Sequence, residues 1–272
     1  ARLAKAGLVK APRRDSVLHQ RVVSLAGAPV LSGAGRPIAV DGALNLRHVG
    51  AGDVIVVPGV FAATERSIGR LLERDDVSRG GELLVRARSK KAVVAASCSA
   101  TFVLGASGLL DHRRATTTWW LAPEFARRFP DVTLASDRML VEADGVLTAG
   151  SAFAHADLLL AIVARITTPS VARLVARYLV LDNRPSQARY MVSSHVRTSD
   201  GSIRKLESYL RSHLEEPLTV ATMARVVGAS PRTLARRLHA ELGTTPLALL
   251  QRLRVERALH LLETTDRPVE RI

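Results

Sequence analysis

VVAASCSATFVLGASGLLD, residues 93–111, passes from a β-branched apolar run through Ser97-Cys98-Ser99 into a helix-like spacing. A buried strand that ends on a small polar elbow and continues as a helix belongs in an α/β sheet. Working outward, RVVSL (21–25), DVIVVPG (53–59) and AVVAAS (92–97) are short β-branched runs with Gly or Pro at or just past their ends. MLVEADGVLTAG (139–150) reads as two strands around an Asp144-Gly145 turn. Helical spacing covers 80–90, 99–109, 120–129, 153–166 and 169–181. Apolar strands alternating with helices imply an α/β domain whose parallel sheet is buried on both faces. ARLAKAGLVKAPRRDSV (1–17) reads as a helix and loop leading into the first strand. Because such domains open with a strand, an earlier strand and its loop are expected to be missing.

The 272 residues, 47% of them hydrophobic, suffice for two domains with real cores. The net charge of +14 suggests an anionic partner, but it divides as +9 over residues 1–185 and +4 over 201–272, so charge alone locates no nucleic-acid site. A single cysteine excludes an internal disulfide framework and any multi-Cys zinc site, and neither metal nor cofactor is expected. The most apolar stretch, FAHADLLLAIVARI (153–166), is too short for a bilayer and contains His155 and Asp157. With no signal-peptide pattern at its start, the chain is expected to be soluble and cytoplasmic, with no membrane partner.

The expected organisation is an α/β domain over 1–182, a linker over 183–201 and a helical domain over 202–272. NRPSQARYMVSSHVRTSDGS (183–202) has the weak periodicity and polar content of a linker. After it everything reads as helix. Ile203, Leu206, Tyr209 and Leu210 form one apolar face, and Thr219 is placed to cap the helix VATMARVVG (220–228). Gly228 allows a sharp turn, Ser230 can cap the next helix, and Pro231 fits its first position. Leu234, Leu238 and Leu242 then face the core, leaving Arg232, Thr233, Arg236 and Arg237 outward. These four and Ser230 are the candidate DNA contacts, because guanidinium groups at a helix tip can bind phosphates and read guanine edges in a major groove. The bland alternative is a helical hairpin with a solvated arginine face.

TTPLALLQRLRVERALHLLETTDRPVERI (244–272) follows that unit as a long helix begun by Thr245-Pro246. Together the two segments resemble the AraC/XylS family of transcription regulators, in which two helix-turn-helix units are joined by a linking helix. Pro246, Leu250, Arg252, Arg254, Ala258 and Leu261-Leu262 match the linking-helix pattern. The sequence stops at RPVERI, so a second unit is expected to be missing, whether by fragmentation or natural truncation, with phosphate and base contacts roughly halved. DVIVVPG, SCSATFVLGASGLLDHRRATTTWW and GVLTAGSAFAHADLLL resemble, in matching order, the class I glutamine amidotransferase-like (PfpI-type) domain found before such modules. The resemblance implies a flavodoxin-like parallel sheet sandwiched by helices, followed by an all-α helix-turn-helix domain.

It also gives Cys98 a place. In that superfamily the cysteine sits on a strained strand-to-helix elbow where the helix N-terminus favours thiolate. Catalysis requires an acid or base partner. Where related regulators read Ala-Thr-Thr-His-Trp, this chain reads Ala115-Thr116-Thr117-Thr118-Trp119, and a threonine hydroxyl is no base near neutral pH. No catalytic residue is therefore assigned. Cys98, Ser99, Thr118 and Trp119 are candidates for a ligand pocket, with a purely structural elbow as the alternative. His155 follows Gly150-Ser151, where it could approach the same pocket, but reads rather as a helix-start or packing residue, and Asp157 matches an Ala-x-x-Asp-Leu pattern suited to a structural hydrogen bond. The implied function is a sequence-specific regulator, an activator more often than a repressor. Its implied partners are double-stranded promoter DNA, RNA polymerase, a small-molecule effector and a second copy in a homodimer. A Cys98-dependent hydrolase or glyoxalase, and a DNA-incompetent partner of longer regulators, are the alternatives.

Overall fold

The computed structural model describes residues 18–191, 200–242 and 244–271; the expected N-terminal helix and most of the later half of the expected linker lie outside the described residues. The chain divides into two compact units: residues up to 119 with 124–188, and 120–123 with those from 189 onward.

The first unit begins with two small strand pairs. β1 (Val23–Ser24) runs parallel to β4 (Gly42–Ala43), and between them β2 (Val30–Leu31) pairs antiparallel with β3 (Pro37–Ile38). The run at 21–25 thus supplies a two-residue strand and stays out of the main sheet. The reason is local: Val22 N–H donates to Asp41 Oδ2 at 2.7 Å and Asp41 N–H to Val22 O at 2.7 Å, so the neighbouring loop takes up its backbone groups.

Then come β5 (Val54–Val57), α1 (Glu65–Leu72), α2 (Asp75–Ser89), β6 (Val93–Ser97) and α3 (Thr101–Ala106). They are followed by β7 (Arg114–Ala115), α4 (Ala122–Arg128), β8 (Thr133–Leu134), β9 (Leu140–Ala143), β10 (Val146–Ala149), α5 (Ala154–Ile166) and α6 (Pro169–Tyr178). The main sheet has the order β5-β6-β10-β9, parallel except for β9, which pairs antiparallel with β10. Asp144 (φ +48°) and Gly145 (φ +75°) make the β9–β10 turn with positive φ at both central positions, as a two-residue hairpin of matching twist requires. β6 and β10 are buried along their whole length. Val93, Ala95, Leu147 and Ala149 form one face and pack with Leu158 and Ile162 of α5, while Ile55 joins Leu83 and Ala87 of α2 on the other. Burying a side chain such as Leu158 completely contributes about 1.5–3 kcal/mol.

The second unit holds α7 (Gly201–Ser212), α8 (Val220–Val226), α9 (Pro231–Leu242) and α10 (Pro246–Thr264). One core joins them: Ile203, Leu206 and Leu210 of α7, Met223 of α8, Leu234 and Leu238 of α9, and Leu249, Leu250 and Leu253 of α10. Leu242 packs at its margin.

Candidate elbow site and DNA-contacting helix

β5, β6 and β10 end together: Ala149 is level with Ser97, and Val57 with Ala96. In open α/β sheets such carboxyl ends form the crevice that takes ligands. Cys98 follows β6 immediately and has φ +57°, a region that a side chain with a Cβ rarely adopts. Its surroundings hold it there. Cys98 N–H donates to Gly150 O at 2.8 Å, and Cys98 O accepts from Thr101 Oγ1 at 2.7 Å and Thr117 Oγ1 at 3.2 Å. A Cβ placed on Gly59 would lie 3.3 Å from Cys98 Cβ, so glycine leaves the elbow its room.

The candidate residues sit differently around this point. Cys98 is half-buried, whereas Ser99 is buried and its hydroxyl donates to Val60 O. Thr118 is fully buried, and its Oγ1 has no hydrogen-bond partner among the described residues. It is Thr117, one residue earlier, whose hydroxyl reaches the elbow carbonyl. Trp119 is buried and opens a short 3-10 turn over Trp119–Leu121. His155 does more than start a helix, because its Nδ1 lies 2.9 Å from Ser97 Oγ, directly beside the elbow. Asp157 receives Arg184 at 2.6 Å, and burial holds its carboxyl above the ordinary range against the lowering effect of that guanidinium.

Gln187 carried no signal in the sequence. Its side chain is buried against Thr116, Thr117, Ser136 and Ser151, so residues 184–188 pack on the first unit. An amide inside a polar stretch shows no periodicity, and its partners lie far away along the chain.

In the second unit Ser230 Oγ accepts from Thr233 N–H at 3.1 Å and caps α9, with Pro231 at the helix start and Gly228 at φ +62°. Leu234 and Leu238 are buried while Arg232, Arg236 and Arg237 are exposed and Thr233 half-exposed. Arg232 and Arg236 make no ion pair among the described residues; Arg237 donates to Ser202 Oγ at 3.4 Å. The same unit holds a partly buried charge network around Glu207. Arg211 bridges Glu207 at 3.2 Å and Glu256 at 3.0 Å, and Arg252 Nε and one Nη lack partners among the described residues. Burial pushes the Arg252 guanidinium below its ordinary value, opposed by Glu256 and Glu207. Arg254 donates from Nε to Leu214 O at 3.0 Å and from Nη2 to Glu216 O at 2.8 Å, tying α10 to the α7–α8 connection. An open cavity of about 840 Å³ lies in this unit against His213, Glu215, Glu256 and His260, and no candidate residue lines it.

Among the described residues no group of three or more His, Cys, Asp or Glu side chains could hold a metal, and no helix is long and apolar enough to cross a membrane.

The DJ-1/PfpI family model matches residues 13–165, and a helix-turn-helix domain model matches residues 223–272. The HTH-type transcriptional regulator CdhR of Pseudomonas aeruginosa is 29% identical over 254 residues, covering 90% of this chain and 70% of CdhR. The HTH-type transcriptional regulator GlxA of Rhizobium meliloti is 29% identical over 177 residues, covering 64% of this chain and 54% of GlxA. The chain therefore spans only part of the length of these curated relatives. A solved structure from Vibrio parahaemolyticus aligns over 58% of this chain and 79% of that one, with a TM-score of 0.50 and 16% identity, a likeness of fold alone.

Proposed function

We propose a ligand-gated division of labour for this chain, which belongs to the DJ-1/PfpI family and carries a C-terminal AraC-type helix-turn-helix. With both modules of the regulators it resembles, it is a DNA-binding transcription regulator. In the proposed division, α9 enters the major groove and the elbow of the first unit senses a small metabolite. The observation that supports it best is the pair of exposed guanidinium groups of Arg232 and Arg236, without an ion pair among the described residues, on one face of a helix capped by Ser230. Arg237, Thr233 and Ser230 complete the contact surface. Such groups give phosphate contacts and bidentate readout of guanine. The effector binds at Cys98, Ser99, Thr118 and Trp119, where the Thr118 hydroxyl, without a partner among the described residues, supplies a polar anchor. It regulates only by binding one state of the protein more tightly than another. The elbow is non-catalytic in this reading, since threonine replaces the expected base. The protein acts in the cytoplasm as a homodimeric activator that engages RNA polymerase at promoter DNA.

The test is fluorescence anisotropy on the DNA upstream of the protein's own coding region, with R232A and R236A compared with the parent chain across salt concentrations. Each loss is expected to weaken specific binding about 5- to 150-fold, equivalent to about 1–3 kcal/mol. A variant that loses a phosphate contact also flattens the plot of log K against log salt by about 1. Unchanged affinity in both variants would sink the reading. A separate observation bears on the non-catalytic part. A Cys98 thiol that alkylates rapidly and stoichiometrically near neutral pH, with a turnover lost in C98S, would turn the first unit into an enzyme.

A further inference from the structure

The segment that leaves the first unit toward the helical unit carries one fully buried polar side chain. Gln187 is 1% exposed. Its amide nitrogen donates to Thr117 O at 2.9 Å and to Ser136 O at 2.7 Å, and its oxygen accepts from Ser151 N–H and Ser151 Oγ, both at 3.1 Å. Donors and acceptor are all used, in a site where a lost partner leaves an unmatched buried group. Two of those partners adjoin the atoms that hold Cys98. Thr117 gives its own hydroxyl to Cys98 O, and Gly150, next to Ser151, accepts the Cys98 N–H. Gln187 therefore holds Thr117 and, by way of the residue next to it, Gly150, two of the three supports of the strained elbow; the third is Thr101.

Gly150 makes the grip possible. A Cβ there would lie 2.6 Å from Gln187 Cδ and 2.8 Å from its Nε2, so a side chain at 150 and the docked amide exclude each other. Around Gln187 the same segment is stitched down by its own N–H to Asp137 O at 2.9 Å, by Met139 N–H to Pro185 O at 3.3 Å, and by Ser186 Oγ to Asp137 O at 2.7 Å. The Arg184–Asp157 pair closes the row.

We infer that Gln187 is a latch that couples occupancy of the Cys98 elbow to docking of residues 184–188. An occupant that displaces Thr117 or Gly150–Ser151 withdraws partners from the Gln187 amide, loosens that segment, and so alters the freedom of the chain leading to the DNA-binding helices. The inference rests on the sensor reading of the elbow. Linkage makes it reciprocal: whatever frees the segment must also change access to Cys98.

The test needs no DNA, so its failure is distinct from failure of the regulator reading. N-ethylmaleimide serves as the probe, because Cys98 is the only cysteine in the chain. In the parent protein, modification of Cys98 is expected to speed amide hydrogen exchange at Met139 and Gln187 by about 5-fold or more, the lower end of ordinary coupling. Protection in β6 and β10 should persist. Q187A is expected to raise the rate of Cys98 alkylation by a similar factor. G150A, which keeps the glutamine in the sequence but pushes its side chain out of the site, should reproduce that effect. Equal exchange with and without the modification overturns the latch, as does a uniform rise across the sheet or a Cys98 that stays unreactive in parent and variants alike. If Q187A does not fold, the comparison within the parent protein still decides.

Discussion

Glu207 is buried on α7 beside Arg211, and burial pushes its carboxyl above the ordinary range more than that guanidinium lowers it. The folded protein thus keeps a proton on Glu207 at pH values where the unfolded chain has released it. Stability contributed by this group accordingly rises as pH falls from the raised folded value toward the ordinary value of about 4.3. E207Q removes that dependence. In thermal melts followed by circular dichroism, the parent chain should gain on E207Q as the pH is lowered from neutral, and a constant difference would contradict the assignment. Gly105 offers a purely steric case, since a Cβ there would lie 2.7 Å from Phe129 Cε2 and 2.8 Å from Cδ2. That ring is already stacked edge-on against Phe125, 4.9 Å between centroids. G105A should therefore lower the urea midpoint by overpacking worth about 1–3 kcal/mol. Neither effect was legible in the sequence, because each depends on a neighbour from another part of the fold. The reading of Thr118 as standing where the resemblance expects a histidine needs only a short motif, and so could be made from the sequence. The roles of Thr117, His155 and Gln187 were not, because hydroxyl, imidazole and amide groups reveal their partners only once strands β6 and β10 are side by side.

At the scale of single elements, legibility followed the amount of local signal. α9 could be read from its cap, its proline and its leucine spacing, all of which act within a few residues. S230A should cost about 1 kcal/mol by orphaning the Thr233 N–H. Hydrogen exchange in the first turn of α9 would measure it, and exchange unchanged from the parent would deny the cap its role. The β9–β10 hairpin was equally plain, because Asp-Gly is chemically suited to its turn. α1 was missed: ERSIGRLL buries only Ile68, and its capping box pairs Thr64 with Ser67 in place of the usual Glu or Gln. α2 begins earlier than its apolar spacing indicated, at Asp75, where Asp75 and Asp76 favour a helix start without adding a buried face. RVVSL has the composition of a central strand, but a carboxylate at Asp41 decides its pairing. Composition reports what a strand can bury and not which neighbour reaches it first.

For the molecule as a whole, the alternation of apolar runs and helices gave the α/β class, whereas the change of texture near residue 183 falls short of the point, after residue 188, where the first compact unit ends. Strand order did not follow from the sequence beyond the hairpin, since β5, β6 and β10 meet across long intervening stretches. That same separation has a kinetic consequence. Parallel pairing must close large loops before any ladder bond rewards it, whereas α7 to α10 assemble from segments close together along the chain. In refolding from urea of W120F, which leaves Trp119 as the single tryptophan, helical circular dichroism should therefore recover partly in a fast phase while Trp119 fluorescence follows later. Stopped-flow traces that superimpose would show instead that the two bodies acquire their structure in a single concerted step. If the phases do separate, a chain diluted from urea carries its helix-turn-helix for a time before the α/β unit is complete, and that interval leaves the unpaired edges of β5, β6 and β10 open to other chains.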